Sequence, residues 1–172
     1  MTIRFGILTL SDRSARGERA DSSGPALADR LQAEGWSIVK QALLPDNESA
    51  IREILMSWAD SGEMDVILTT GGTGFAPRDV TPEATRAILE RETPGLAEAM
   101  RAESLKVTPH AMLSRIVTGI RKKTLIINLP GSPKGAVENF QVVIPVLPHA
   151  VQLLQEDPAS ERGHSAPLSN LL

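Results

Sequence analysis

The chain has 172 residues, of which 41% are apolar, 23% charged and 3% aromatic. That length suits one domain with an aliphatic core, and a domain of this size buries roughly 70% of its unfolded surface without needing staples. Cysteine is absent, which excludes disulfides, thiolate metal sites and cysteine nucleophiles, and a formal net charge of −3 supplies no global basic field for nucleic acid.

Ile3 to Leu10 is apolar and β-branched at several positions and reads as a buried first strand. The run is too short for a signal peptide, and Asp12 and Arg13 follow at once, so the protein reads as cytoplasmic. No run reaches the ~18 apolar residues that a membrane span requires. Ser11 to Ser23 is polar and reads as a long loop. Pro25 opens a helix to near Glu34, with Gly35 as its stop. Trp36 to Leu44 reads as a second strand, ended by Pro45. Asp46 or Asn47 can cap the next helix, which runs to near Asp60. Asp65 to Thr70 is a third strand whose unbroken apolar stretch suits a parallel sheet buried on both faces. A glycine-rich loop, Gly71 to Pro77, follows. Thr81-Pro82 and Thr93-Pro94 each pair a capping residue with a proline at the first helical position, which predicts helices over 82–91 and 94–106. Ile116 to Ile120 and Thr124 to Leu129 read as two strands joined by the basic turn Arg121-Lys122-Lys123. Pro130-Gly131-Ser132-Pro133 leads into a last helix over 134–154. Residues 1–154 make the domain, and 155–172, rich in Ser, Pro and Gly, read as a loosely ordered tail. Strands alternating with helices predict an α/β sandwich with a mostly parallel sheet, whose ligands bind beyond the carboxyl ends of the strands.

Three polar segments are expected to converge on that edge: the loop after the first strand, the glycine-rich loop after the third and the Pro-Gly-Ser-Pro loop after the last. In Gly71-Gly72-Thr73-Gly74, glycines after a buried strand allow a sharp turn, and successive N–H groups can form an anion site; the plainer reading is a tight turn. The loop is neither a Walker loop nor a dinucleotide fingerprint. Asp79, just outside a helix start, is either an exposed turn residue, alone or paired with Arg78, or a functional carboxylate. Asp46 is either a helix cap or a second such carboxylate. Two carboxylates beside a polyphosphate repel it, by roughly 4 kcal/mol per pair at about 4 Å and an effective dielectric near 20. A cation between them resolves this, and Mg²⁺ is held by one or two carboxylates plus phosphate oxygens and water. That combination points to phosphoryl or nucleotidyl transfer. Gly131, Ser132 and Lys134 start a helix, and a helix N-terminus attracts anions. Ser132 lies in no Gly-x-Ser-x-Gly elbow, so it does not read as a hydrolase nucleophile. Asp12 and Arg13 either touch a ligand or solvate their loop. His110, His149 and His164 lack ligand spacing and read as structural or surface residues.

Together these segments resemble the molybdopterin adenylyltransferase family. The matching stretches are Leu10-Ser-Asp-Arg13, Pro45-Asp46, Gly71-Gly-Thr-Gly-Phe-Ala-Pro-Arg-Asp-Val-Thr-Pro-Glu83, Arg91-Glu-Thr-Pro-Gly95, Glu103-Ser-Leu-Lys106, Met112-Leu-Ser-Arg115 and Leu129-Pro-Gly-Ser-Pro133. The resemblance spans residues 3–154. It implies a three-layer α/β sandwich, a homotrimer, and a molybdopterin-binding adenylyltransferase domain over residues 1–154. It implies that Asp46 and Asp79 are the catalytic aspartates and that Asp46 is tied to magnesium. Ser11, Asp12, Gly71, Gly72, Thr73, Gly74, Ser104, Ser114, Gly131, Ser132 and Lys134 become the expected substrate- and nucleotide-binding residues. The implied reaction moves AMP from Mg-ATP to the terminal phosphate of molybdopterin and releases pyrophosphate, with Mg²⁺ and ATP as cofactor and co-substrate. A transient contact with the downstream molybdenum insertase is also implied, and neither nucleic acid nor membrane is an expected partner. Asn47 stands where relatives often have glutamate. The rival readings are a catalytically silent molybdopterin-binding or scaffold protein of the same fold, a metal insertase, for which the chain lacks the extra domains, and a generic nucleotide hydrolase.

Overall fold

The computed structural model describes residues 2–156. All but the first two residues of the expected tail therefore lie outside the described residues. Six strands, β1 (Arg4–Leu10), β2 (Ser37–Leu44), β3 (Val66–Thr70), β4 (Arg91–Glu92), β5 (Thr118–Arg121) and β6 (Thr124–Leu129), form one sheet in the order β2-β1-β3-β6-β5-β4. β2, β1, β3 and β6 run parallel, and β5 and β4 continue the sheet antiparallel. The register aligns Leu10 with Leu44, Thr9 with Thr70, and Thr70 with Leu129, so four carboxyl ends share one edge.

The strands alternate their side chains between two cores, as the two-residue period of a strand requires. Phe5, Ile7, Val66, Leu68, Leu125 and Ile127 face α2 (Ser23–Ala33), α5 (Pro94–Leu105), α6 (Pro133–Val143) and α7 (Leu147–Leu154). Leu8, Leu10, Ile67 and Ile126 face α3 (Glu48–Asp60) and α4 (Thr81–Arg86). The result is the expected three-layer sandwich. Aromatics are few, and three of them gather in the first core: Phe5 stacks on Trp36 at 5.2 Å and meets Phe140 edge-on at 6.0 Å.

Several elements depart from the sequence reading. The loop after β1 contains a one-turn helix, α1 (Asp12–Ala15), because the Ser11 side chain accepts a hydrogen bond from the Ser14 N–H. The helix expected over 82–91 stops at Arg86, and Arg91–Glu92 instead pairs with Gly119 and Ile120 at the sheet edge. The helix expected over 134–154 is broken at Ile144–Val146, where Pro145 has no N–H to continue the ladder. Thr81 and Thr93 are not side-chain caps. The Thr81 hydroxyl donates to the Gly71 carbonyl (2.9 Å) and that of Thr93 to Thr118 Oγ1 (3.0 Å). Arg121 is a strand residue that pairs with Asp60 (2.7 Å), so the turn proper is Lys122-Lys123, with Lys122 at φ 53°.

Candidate active site

The buried strand β3 delivers the chain to Gly71 (φ 108°) and Gly72 (φ 63°), conformations that glycine alone adopts readily. A Cβ on Gly71 would run into the Leu10 carbonyl. One on Gly72 would collide with Thr81 Oγ1 and lie 2.8 Å from Asp46 Oδ1, and one on Gly74 would lie 2.9 Å from Asp79 Oδ2. Both aspartates are therefore packed against the same glycine loop.

Asn47, not Asp46, caps α3: its Oδ1 accepts from the Ala50 N–H (3.0 Å). Asp46 is thereby freed for another role. It exchanges hydrogen bonds with Asp12, the Asp12 N–H donating to Asp46 Oδ2 and the Asp46 N–H to Asp12 Oδ1, both at 3.0 Å. Arg78 donates to both carboxylate oxygens of Asp12 at 2.9 Å and holds that carboxyl below its usual range. Arg78 thus pairs with Asp12 and not with its neighbour Asp79. Burial pushes the Asp46 carboxyl above its usual range; the Asp12 N–H partly offsets this, while the charges of Asp12 and Asp79 push the same way as burial. Among the described residues, the buried Asp46 Oδ1 has no hydrogen-bond partner. Asp79 closes its own turn: its N–H donates to the Ala76 carbonyl (2.9 Å) and its Oδ2 accepts from the Ala76 N–H (3.0 Å).

Two cavities adjoin across this loop. One, of about 380 Å³, is bordered by Ser11, Asp12, Arg13, Arg19, Asp46 and Gly71. The other, of about 480 Å³, is bordered by Thr73, Gly74, Asp79, Arg101, Ser104 and Ser114. Gly72, Gly131 and Ser132 line both, so they form a shared wall. Every expected site residue lies on one of these cavities except Lys134, which borders neither and pairs with Glu138 at 3.7 Å on the outside of α6. The Ser132 hydroxyl accepts from the Gly135 N–H (3.1 Å) and caps α6. Asn139 donates to Ser104 Oγ (3.1 Å), and Ser114 Oγ is buried with no partner among the described residues.

Sequence reasoning passed over several residues that the fold brings here. Arg19 and Asp21 sit in the first loop; Asp21 accepts from Thr9 Oγ1 (2.8 Å) and from the N–H groups of Ser23 and Gly24, and so organises the start of α2. Arg101, Arg115 and Asn139 come from distant helices and turns. No local pattern marks them, because Arg115 finds its partners 32 to 42 residues away, Asn139 meets Ser104 35 residues away and Arg101 meets Ser114 13 residues away.

The family model described as "Probable molybdopterin binding domain" matches residues 6–149. The chain is 48% identical over 157 residues to the molybdenum cofactor synthesis protein cinnamon of Drosophila melanogaster, covering 91% of this chain and 26% of that protein, so it spans about a quarter of that relative's length. It is 41% identical over 155 residues to the molybdopterin adenylyltransferase of Helicobacter pylori strain J99, covering 89% and 88% of the two chains. Among solved structures, the molybdopterin biosynthesis enzyme MoaB of Thermus thermophilus matches with a TM-score of 0.86 at 52% identity, covering 91% of this chain and 99% of that one.

Proposed function

The chain belongs to the molybdopterin-binding domain family, and from that membership we propose that it is a molybdopterin adenylyltransferase, moving AMP from Mg-ATP to the terminal phosphate of molybdopterin and releasing pyrophosphate. The observation that carries the reading is the packing of Asp46 and Asp79 against one glycine loop, with Asp46 on one and Asp79 on the other of two cavities that share a wall. Two substrates can lie on either side of that wall with their phosphates in contact. The cavity with Arg13 and Arg19 on its border suits a triphosphate, and the one walled by Val107, Ala111 and Leu113 suits a flat ring system.

The acceptor phosphate is already an anion, so the reaction needs no strong base. The protein's contribution is alignment, together with N–H donors from Gly72–Gly74 and the start of α6; the Gly71 N–H is already bonded to the Leu129 carbonyl. The residues present fit Mg²⁺. Asp46 Oδ1 is buried and free to ligate, and the described residues hold no group of three or more His, Cys, Asp or Glu that would make an all-protein cage. This matches an ion held by one or two carboxylates, phosphate oxygens and water. Asp46 would hold it, with Asp79 beside it, and bound Mg²⁺ would supply neutralisation of the charge shared by the phosphates and the carboxylates.

Incubation with molybdopterin and Mg-ATP should release pyrophosphate and yield adenylylated molybdopterin, and removing Mg²⁺ with a chelator should abolish both. ATP turnover that is indifferent to molybdopterin would overturn the reading. Asp46→Ala and Asp79→Ala should each lower kcat by at least about 100-fold while leaving the circular dichroism spectrum unchanged.

A homotrimer, a cytoplasmic setting and a transient contact with the downstream molybdenum insertase belong to the same reading. Exposed Val146 and Leu153, beside Leu96 and Ile120, give a second copy an apolar face to cover. No helix among the described residues is long and apolar enough to cross a membrane. The domain is proposed to span residues 1–154.

A further inference from the structure

The carboxylate of Asp79 projects from a crest, Phe75–Arg78, that is exposed along its whole length. Two bonds between Ala76 and Asp79 shape the turn that closes the crest. Two arginines tie the crest to the body: Arg78, within it, donates to both carboxylate oxygens of Asp12 at 2.9 Å, and Arg115 holds the residues on either side of it. Arg115, in the segment after the Pro109–Leu113 turn, donates from Nε to the Gly74 carbonyl (2.7 Å), from Nη2 to the Asp79 carbonyl (2.6 Å) and from Nη1 to the Glu83 carboxylate. Its backbone N–H donates to the Thr73 carbonyl (2.9 Å). A single planar fork thus grips the loop before the crest, the residue that ends it and the first turn of α4. Lysine cannot reproduce this, because it lacks a rigid array of donors.

We infer that Arg115 is a positioning residue for Asp79: it sets the height and angle of the Asp79 turn over the shared wall without touching either substrate. The inference rests on the proposed adenylyltransferase reading for its kinetic consequence, but not for its structural one. Displacing a reacting group by about 1 Å costs on the order of 100-fold in rate. Arg115→Ala is therefore expected to lower kcat about 100-fold with KM for ATP and molybdopterin unchanged. Amide hydrogen exchange at Ala76 and Asp79 should accelerate, while β1 and β3 keep their protection. Arg115→Lys should behave like the alanine variant. Added guanidinium ion should restore part of the activity of Arg115→Ala and none of that of Asp79→Ala.

Wild-type kcat in Arg115→Ala, or full activity in Arg115→Lys, would overturn the inference. So would a loss of kcat accompanied by faster exchange throughout β1 and β3, which would make Arg115 a general stabiliser. If the alanine variant does not fold, Arg115→Lys carries the same kinetic and exchange readouts. If the wild-type protein releases no pyrophosphate, the adenylyltransferase reading fails, and exchange at Ala76 and Asp79 still decides whether Arg115 holds the turn.

Discussion

At Gly72 the backbone stands at φ 63° with Thr81 and Asp46 on the side where a side chain would go. Gly72→Ala must both strain the backbone and push the Asp46 carboxylate aside. The backbone strain alone costs about 1–3 kcal/mol. We expect a lower urea midpoint and, because Asp46 moves, a loss of pyrophosphate release larger than the fall in stability would cause. Gly95 offers the contrast: nothing lies within reach of an added Cβ there, so Gly95→Ala should leave activity intact. The glycine loop and Asp46 stood out in the sequence because each closely follows a strand, where open α/β sheets bind ligands, and Asp79 because it stands between that loop and a helix start. Whether Asp46 was a cap or a carboxylate at the site was not legible. Asp46 and Asn47 are both good capping residues, and only the geometry of the turn assigns the cap to Asn47.

Among the elements, α6 supplies Phe140 to the aromatic cluster. Phe140 is fully buried between Phe5 and Trp36. Phe140→Ala should cost about 3–5 kcal/mol, read as a shift of the denaturation midpoint, with catalysis retained below that midpoint because Ser132 and the start of α6 stay in place. The alternation of strands with helices made the parallel sheet legible, since buried strands and capped helices carry strong local patterns. The elements that escaped are those that lack such patterns. β4 is two residues long and exists only because β5 offers it partners. The break between α6 and α7 needed Pro145 to be weighed against an otherwise continuous apolar face. The bonds of Arg115 span 32 to 42 residues and leave no trace in any local window.

For the whole molecule, a bidentate pair between Arg121 on β5 and Asp60 at the end of α3 (2.9 and 2.7 Å) ties the antiparallel edge to the helix layer. The hydrogen bond from Arg121 holds the Asp60 carboxyl below its usual range. The unfolded chain, with an ordinary aspartate near 3.9, therefore takes up a proton at a pH where the folded chain does not. The stability from this pair is fully present above that value and is lost as pH falls through the lower, folded one. Asp60→Asn should unfold at lower urea than the wild type at neutral pH, and the two midpoints should converge in strong acid. A gap that persists in acid would mean that the pair contributes through packing and not through charge.

Asp46 Oδ1 has a consequence for heat tolerance. Its partner oxygen accepts from the Asp12 N–H, but a carboxylate oxygen buried without a donor is a burden the resting molecule carries at neutral pH. Asp46→Asn keeps an acceptor for the Asp12 N–H while removing the charge, so it should melt higher than the wild type even as it loses its chemistry. Thermal screening alone would then select an inert protein, because the feature that readies this cleft for work also makes the idle fold easier to undo.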